Sequence, residues 1–266
     1  MKLLSPLIAL FQAVFLILWL VFWITVSGLA AILTLNGELP LVMARRFWAS
    51  MHWHITGSPL LVEPLPDVDW SKPHIFLMNH QSAFDIPVAF AVIPVNIRFI
   101  AKHVLKWIPF LGWYMVGTGM IFLNRSNRRE AMRSLKLAGE RIRAGSNILA
   151  FPEGTRSKDG RILPFKKGSF VLAVEAGVPI IPMAIEGTRG MLPKGSIRLR
   201  RHTIRVKVGQ PISTAGIKGP AREALMNQVR DVIIQLHRDI GGEGGVPQES
   251  LASGNDKNVD LADRPI

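Results

Sequence analysis

The chain has 266 residues, a hydrophobic fraction of 48 % and no cysteine, which suits one α/β domain with appendages and excludes disulfides, thiolate catalysis and cysteine-ligated zinc. Lys and Arg number 32 against 19 Asp and Glu, a formal charge of +13. An anionic partner follows, whether nucleic acid, a membrane surface or a phosphorylated substrate.

The N-terminus narrows that choice. No charged residue falls between Leu3 and Gly37, and the run is far longer than the apolar core of a signal peptide. One straight membrane span takes about 20 residues, so the segment predicts either a long tilted span or two helices hinged near Ser27-Gly28. Lys2 lies at one end and Arg45-Arg46 at the other. The positive-inside rule draws both ends to the cytoplasmic side and favours the hairpin. Trp19, Trp23, Trp48 and Trp53 suit the interface. Residues 1–55 therefore read as a membrane anchor, a helical hairpin plus an interfacial segment. Residues 56–240 read as the catalytic domain, placed on the cytosolic face of the inner (cytoplasmic) membrane. A tail over 241–266, with five acidic and two basic residues and no periodicity, reads as disordered.

Short β-compatible apolar runs predict strands at Ile75–Met78, Ile97–Ala101, Asn147–Phe151, Ile180–Ile185 and Thr203–Val208. Helical patterns fall between and after them. "SNRREAMRSLKLAGERIRAG" opens on Ser126 as a cap and sets Met132, Leu135, Ala138 and Ile142 on one face. "PAREALMNQVRDVIIQLHRDIGG" sets Leu225, Val229, Val232, Ile233 and Leu236 along a stripe. Strands alternating with helices define an α/β domain. "LKWIPFLGWYMVGTGMIFL", Leu105–Leu123, holds one charge but is broken by Pro109 and three glycines. It reads as a segment that faces the membrane or lines an acyl chain.

Two polar stretches follow apolar strands, where open α/β sheets bind ligands. In "NHQSAFD" a histidine and an aspartate lie five positions apart. On a continuous helix they would point about 140° apart, so His80 and Asp85 meet only if the chain bends, with His80 in a loop and Asp85 in the first turn of a helix. In "FPEGTRS", Gly154 lets the backbone approach a ligand. Arg156 presents a planar fork of donors that fits phosphate, and Glu153 is placed either to hold Arg156 or to bind a substrate hydroxyl. Lys102, Arg125, Lys158, Arg161, Lys166 and Lys167 gather around these stretches. Nucleic acid is disfavoured by the apolar anchor, and a P-loop enzyme by the absence of GxxxxGK[ST]. A metal held by His80, Asp85 and Glu153 is disfavoured by the adjacent Lys102 and Arg156 and by the lack of an HExxH motif, so no metal site is expected.

"NHQSAFD" resembles the NHxxxxD block of the glycerolipid acyltransferases. "AKHVLKWIPFLGWYMVGTGMIFLNR" is similar to their second block, "FPEGTRS" with "LPFKKGSF" to the third, and "GVPIIPMAI" to the fourth. The four blocks follow the family's order over Ile75 to Ile185 and are most similar to those of the 1-acyl-sn-glycerol-3-phosphate acyltransferases. His103 departs from the pattern, standing where many members carry serine or glutamate. The resemblance implies a mixed central sheet flanked by helices, and His80 as general base with Asp85 orienting it. It implies that Lys102, Arg125, Glu153, Gly154, Thr155 and Arg156 hold the substrate. The acceptor so implied is lysophosphatidate, the donor acyl-CoA or acyl carrier protein, and no further cofactor is needed. Glycerol 3-phosphate, another lysophospholipid and a lyso-ornithine lipid are alternative acceptors. Backbone amides near His80 are the expected oxyanion donors.

Overall fold

The computed structural model describes residues 4–124 and 126–246. Leu4–Thr34 forms one unbroken helix, α1. The expected hinge at Ser27-Gly28 is absent because Ser27 Oγ donates back to the Ile24 carbonyl and no proline interrupts the helical hydrogen bonds. The chain turns instead at Leu35–Glu38, where Leu35 adopts a positive φ of 53° and Asn36 Oδ1 accepts the Glu38 N–H. It returns through α2 (Leu39–Met43), a single π-helical turn (Ala44–Trp48) and α3 (Met51–His54). The two legs are clasped by a Trp23–Phe47 ring stack at 5.3 Å and by Trp19 Nε1–H donating to the Trp48 carbonyl. The apolar segment is thus one long helix and not two hinged at Ser27-Gly28, and the short returning segments carry Arg45 and Arg46. Residues 7–34 are long and apolar enough to cross a membrane, and only 6 % of their most apolar window is buried.

Seven strands make one mixed sheet: β1 (Leu60–Val62), β2 (Ile75–Met78), β3 (Ile97–Lys102), β4 (Ile121–Leu123), β5 (Asn147–Ala150), β6 (Ile180–Glu186) and β7 (Ile204–Val208). Their order is β1-β7-β6-β2-β5-β3-β4. All neighbours are parallel except β6 and β7. The carboxyl ends of β2, β3, β4, β5 and β6 therefore share one edge. β1 and β4, three residues each, are not anticipated from sequence because such short runs carry too little periodicity to register.

Side chains alternate across the sheet. Phe76 and Met78 enter the core beneath α4 (Asp85–Val92) and α5 (Leu111–Gly117). Ile75 and Leu77 enter the core shared with α6 (Arg128–Arg143), α7 (Gly168–Ala176) and α9 (Ala221–Asp239). A one-turn helix, α8 (Thr188–Met191), follows β6. Helix α6 is capped by Asn127, not Ser126: the Asn127 side chain accepts the Glu130 N–H. Its core face runs Ala131, Leu135, Ala138, Ile142, while Met132 is exposed, because the stripe steps by four, three and four residues.

Two further expectations change. Residues 241–246 are ordered rather than disordered: Ile162 N–H donates to the Gly244 carbonyl and Val246 N–H to the Ile162 carbonyl. Glycines at four of the first five positions let this backbone lie flat against the domain. The remainder of the expected tail, 247–266, lies outside the described residues, as does Arg125. The segment after β3 becomes a 3₁₀ turn (His103–Trp107), α5 and β4. Trp107, Trp113 and Val116 are exposed, while Leu105, Leu111, Tyr114 and Met115 turn inward.

His52, on α3, is buried between Trp48 and Phe84 with Nδ1 on the Ala49 carbonyl. Burial pushes its pKa down to about 4, against the backbone bonds to Ala49 and Trp48. The unfolded chain takes up this proton near pH 6.5, while the folded chain resists until about pH 4, so stability falls as pH drops through that window. The slope reaches about 1.4 kcal/mol per pH unit. Thermal midpoints in detergent between pH 7 and pH 4 should fall more steeply for wild type than for His52→Phe. Parallel curves would show that His52 does not carry the acid sensitivity.

Candidate active site

His80 lies in the loop after β2, and Asp85 is the first residue of α4. The bend between them brings His80 Nδ1 to 2.7 Å from Asp85 Oδ2. The same oxygen accepts the backbone N–H groups of Gln81 (2.7 Å) and Ser82 (2.9 Å). Asp85 is fully buried, and its Oδ1 accepts the Thr188 hydroxyl. A carboxylate in the first turn of a helix also sits well with the helix dipole. A buried carboxylate only accepts, so Nδ1 carries the imidazole proton and Nε2 keeps its lone pair. The ring lies flat on Phe151 at 3.9 Å between centroids, and the side chain is 16 % exposed. The result is a base oriented on both flanks with one reactive nitrogen open.

Glu153 takes a different place from the one expected. It is 3 % exposed, and neither oxygen is bonded to Arg156. Oε1 accepts the His80 N–H at 2.7 Å and Oε2 accepts the Leu163 N–H at 2.9 Å. Burial pushes its pKa up to about 8, reinforced by the Asp85 charge and opposed by the two amide bonds and by Arg230. The carboxyl thus ties the His80 loop to the loop after β5. The amides of His80, Gln81 and Ser82 all point at carboxylates, and that of Phe84 donates to Ser82 Oγ. These four amides near the histidine are committed to shaping the loop.

Gly154 has a φ of 73°, and Thr155 and Arg156 follow it at the surface. Lys194, which the sequence did not single out, donates from Nζ to Thr155 Oγ1 (3.1 Å) and to the Arg156 carbonyl (3.3 Å). It lies after α8, nearly 40 residues from the motif, with no local signal to mark it. Thr188 and Phe151 are the other partners that sequence reasoning missed. Lys102 ends β3, exposed on the same sheet edge and three residues past the Phe99–Leu149 pair. That places it about 10 Å, two strand spacings, from the line of β2.

An apolar cavity of about 350 Å³ borders the histidine loop, walled by Trp23, Trp48, His52, Phe84, Phe90 and Tyr114 among others. It lies between the N-terminal helical segment and helices α4 and α5.

The Acyltransferase family model matches residues 60–186. A 1-acyl-sn-glycerol-3-phosphate acyltransferase of Saccharomyces cerevisiae is 37 % identical over 184 residues, 68 % of this chain and 60 % of that protein. A chloroplastic 1-acyl-sn-glycerol-3-phosphate acyltransferase of Brassica napus is 36 % identical over 175 residues, 65 % of this chain and 48 % of that protein. The chain thus spans about half to three-fifths of the length of such relatives. The crystal structure of the 1-acyl-sn-glycerophosphate (LPA) acyltransferase from Thermotoga maritima superposes with a TM-score of 0.77 at 28 % identity, covering 95 % of this chain and 98 % of that one. The matched span holds β1 through β6 with the His80–Asp85 pair and the Glu153–Arg156 loop, and residues 60–186 are thus a domain of the acyltransferase family.

Proposed function

We propose that the chain transfers an acyl group from acyl-CoA or acyl carrier protein to the sn-2 hydroxyl of 1-acyl-sn-glycerol 3-phosphate, making phosphatidate at the inner (cytoplasmic) membrane. The observation that carries this is the His80 ring held at Nδ1 by Asp85, in a loop whose Ala83 and Phe84 border an apolar cavity. Nε2 takes the hydroxyl proton as the alcohol oxygen bonds to the thioester carbonyl carbon. Collapse of the tetrahedral adduct breaks the C–S bond, and the imidazolium returns its proton to the leaving thiolate. Asp85 stabilises the transient imidazolium. Lys102, Arg125, Thr155, Arg156 and Lys194 receive the glycerol phosphate, with Gly154 letting the backbone come close. Glu153 acts by placing the base.

The relatives, named as 1-acyl-sn-glycerol-3-phosphate acyltransferases, support lysophosphatidate as acceptor; the apolar helix α1 supports membrane association, and Lys2 with Arg45-Arg46 supports a catalytic domain on the cytosolic face. The test is transfer of a labelled acyl chain to lysophosphatidate by the detergent-purified protein, with both donors in parallel. Product from either donor supports the reading and ranks the donors. Product only from glycerol 3-phosphate, another lysophospholipid or lyso-ornithine lipid overturns the acceptor. Metal chelators should leave the rate unchanged, since Asp85 Oδ2 and both Glu153 oxygens are already taken by N–H donors.

A planar guanidinium on a phosphate contributes about 1.5–3 kcal/mol. Arg156→Ala should therefore raise the acceptor's KM by roughly 10- to 100-fold and leave the donor's KM within about twofold. Equal changes in both would remove Arg156 from the phosphate site.

A further inference from the structure

The residue after the base is aimed the opposite way. Gln81 is 1 % exposed, and its Nε2 donates to Glu186 Oε2 at 2.8 Å and to the Gly160 carbonyl at 3.2 Å. Against it lies His237, in the last turn of α9 and fully buried. His237 Nδ1 accepts the Gly244 N–H at 3.2 Å, so the ring proton is on Nε2, which donates to Glu186 Oε2 at 2.7 Å. Two donors thus converge on one carboxylate oxygen. Burial alone would raise the Glu186 pKa, but the bonds from His237 and Gln81 outweigh it and hold the group below the usual carboxylate range. Gln81 Nε2 and His237 Nε2 come within 3.1 Å of each other, both directed at that oxygen.

The backbone after α9 is built around this ring. A Cβ at Gly242 would lie 2.3 Å from His237 Cε1 and Nε2, and one at Gly245 2.5 Å from Ile234 Cδ1. From there residues 244–246 pair with Ile162, and Glu243 binds Arg161 at 2.9 Å. The next amide, Leu163 N–H, is the one held by Glu153, whose other oxygen holds the His80 N–H. Two hydrogen-bonded lines therefore run from the end of α9 to the loop carrying the base. One passes through Glu186 to the Gln81 side chain, the other through the glycine strap, Ile162–Leu163 and Glu153 to the His80 amide.

We propose that His237 is a positioning residue for acyl transfer: with Glu186 and the strap 241–246 it fixes the orientation of the His80–Gln81 segment, and with it the aim of His80 Nε2. The proposal rests on the function argued above. Because a displacement of the order of 1 Å can cost about 100-fold in rate, His237→Leu should lower kcat by roughly 10- to 100-fold while both KM values stay within about twofold. His237→Gln, which keeps a donor within reach of Glu186, should recover most of that loss. Gly242→Ala pushes on the intact ring from the strap side and should reproduce the defect. If His237→Leu does not fold, Gly242→Ala takes its place in the comparison. Wild-type kcat in a folded His237→Leu overturns the proposal, as does a loss that His237→Gln fails to restore. A second readout is independent of turnover: the His80 Nδ1–H proton resonance, assigned by its disappearance in His80→Gln, should broaden or shift in His237→Leu. A protein that transfers nothing to any acceptor refutes the proposed function. An unchanged resonance refutes the positioning role whether or not transfer is seen.

Discussion

His80→Ala should abolish acyl transfer, lowering kcat by about 100- to 10,000-fold, the range attributed to a positioned general base. The fold should survive, because the lost ring is partly exposed and the loop around it is held by other groups. Asp85 Oδ2 still accepts from the Gln81 and Ser82 amides, and the His80 amide, a backbone group, still reaches Glu153. The losses are one side-chain hydrogen bond and the stack on Phe151, so the thermal midpoint should move by only a few degrees. Binding of lysophosphatidate should stay near wild type, since none of the groups proposed to hold its phosphate lies in the His80 loop. The measurement is a single-turnover rate with saturating acceptor and donor, paired with a thermal scan. A variant that keeps a tenth or more of the wild-type rate would remove His80 from the chemistry, however suggestive its geometry.

The bend that brings His80 to Asp85 is legible in the sequence because helix geometry forbids contact at a spacing of five, and Asn79, Ser82 and a following apolar run supply the turn and the helix. Asn79 shows what lies beyond that local reading. Its side chain bonds both the N–H and the carbonyl of Ile185, splicing the end of β2 to β6 across more than a hundred residues. Distance along the chain also hides Thr188, Lys194 and His237, each in a segment whose own pattern reads as ordinary. Glu153 misleads for a related reason. Three residues before an arginine it suggests an ion pair, yet one oxygen bonds the Leu163 amide ten residues on in its own loop and the other the His80 amide, which only the assembled sheet edge brings near. The hinge of the anchor is misplaced because Ser27-Gly28 looks like a break by residue type, whereas Ser27 satisfies its hydroxyl within the helix. The strap 241–246 is hidden by composition: glycine-rich segments usually lack enough apolar area to order, and this one orders by its bonds to Ile162, Arg161 and His237.

Asp85→Asn separates the orienting role of that residue from its charge. The oxygen that receives His80, Gln81 and Ser82 has three N–H donors around it, so an asparagine settles with its carbonyl oxygen there. Its amide then faces Thr188, whose hydroxyl can turn from donor to acceptor. Geometry is largely kept and stability falls modestly, whereas Asp85→Ala would leave buried amides without an acceptor at about 1–3 kcal/mol each. What the asparagine lacks is the negative charge that the imidazolium needs as the hydroxyl proton arrives. The loss of kcat should therefore be large, about 1,000- to 10,000-fold, comparable to the effect of the same change in serine-hydrolase triads. Adding His80→Ala to Asp85→Asn should cost little more, because the two residues act as one unit. Independent, multiplying losses in the double variant would mean that Asp85 serves the loop and not the proton transfer, and the mechanism would then need another partner for the imidazole.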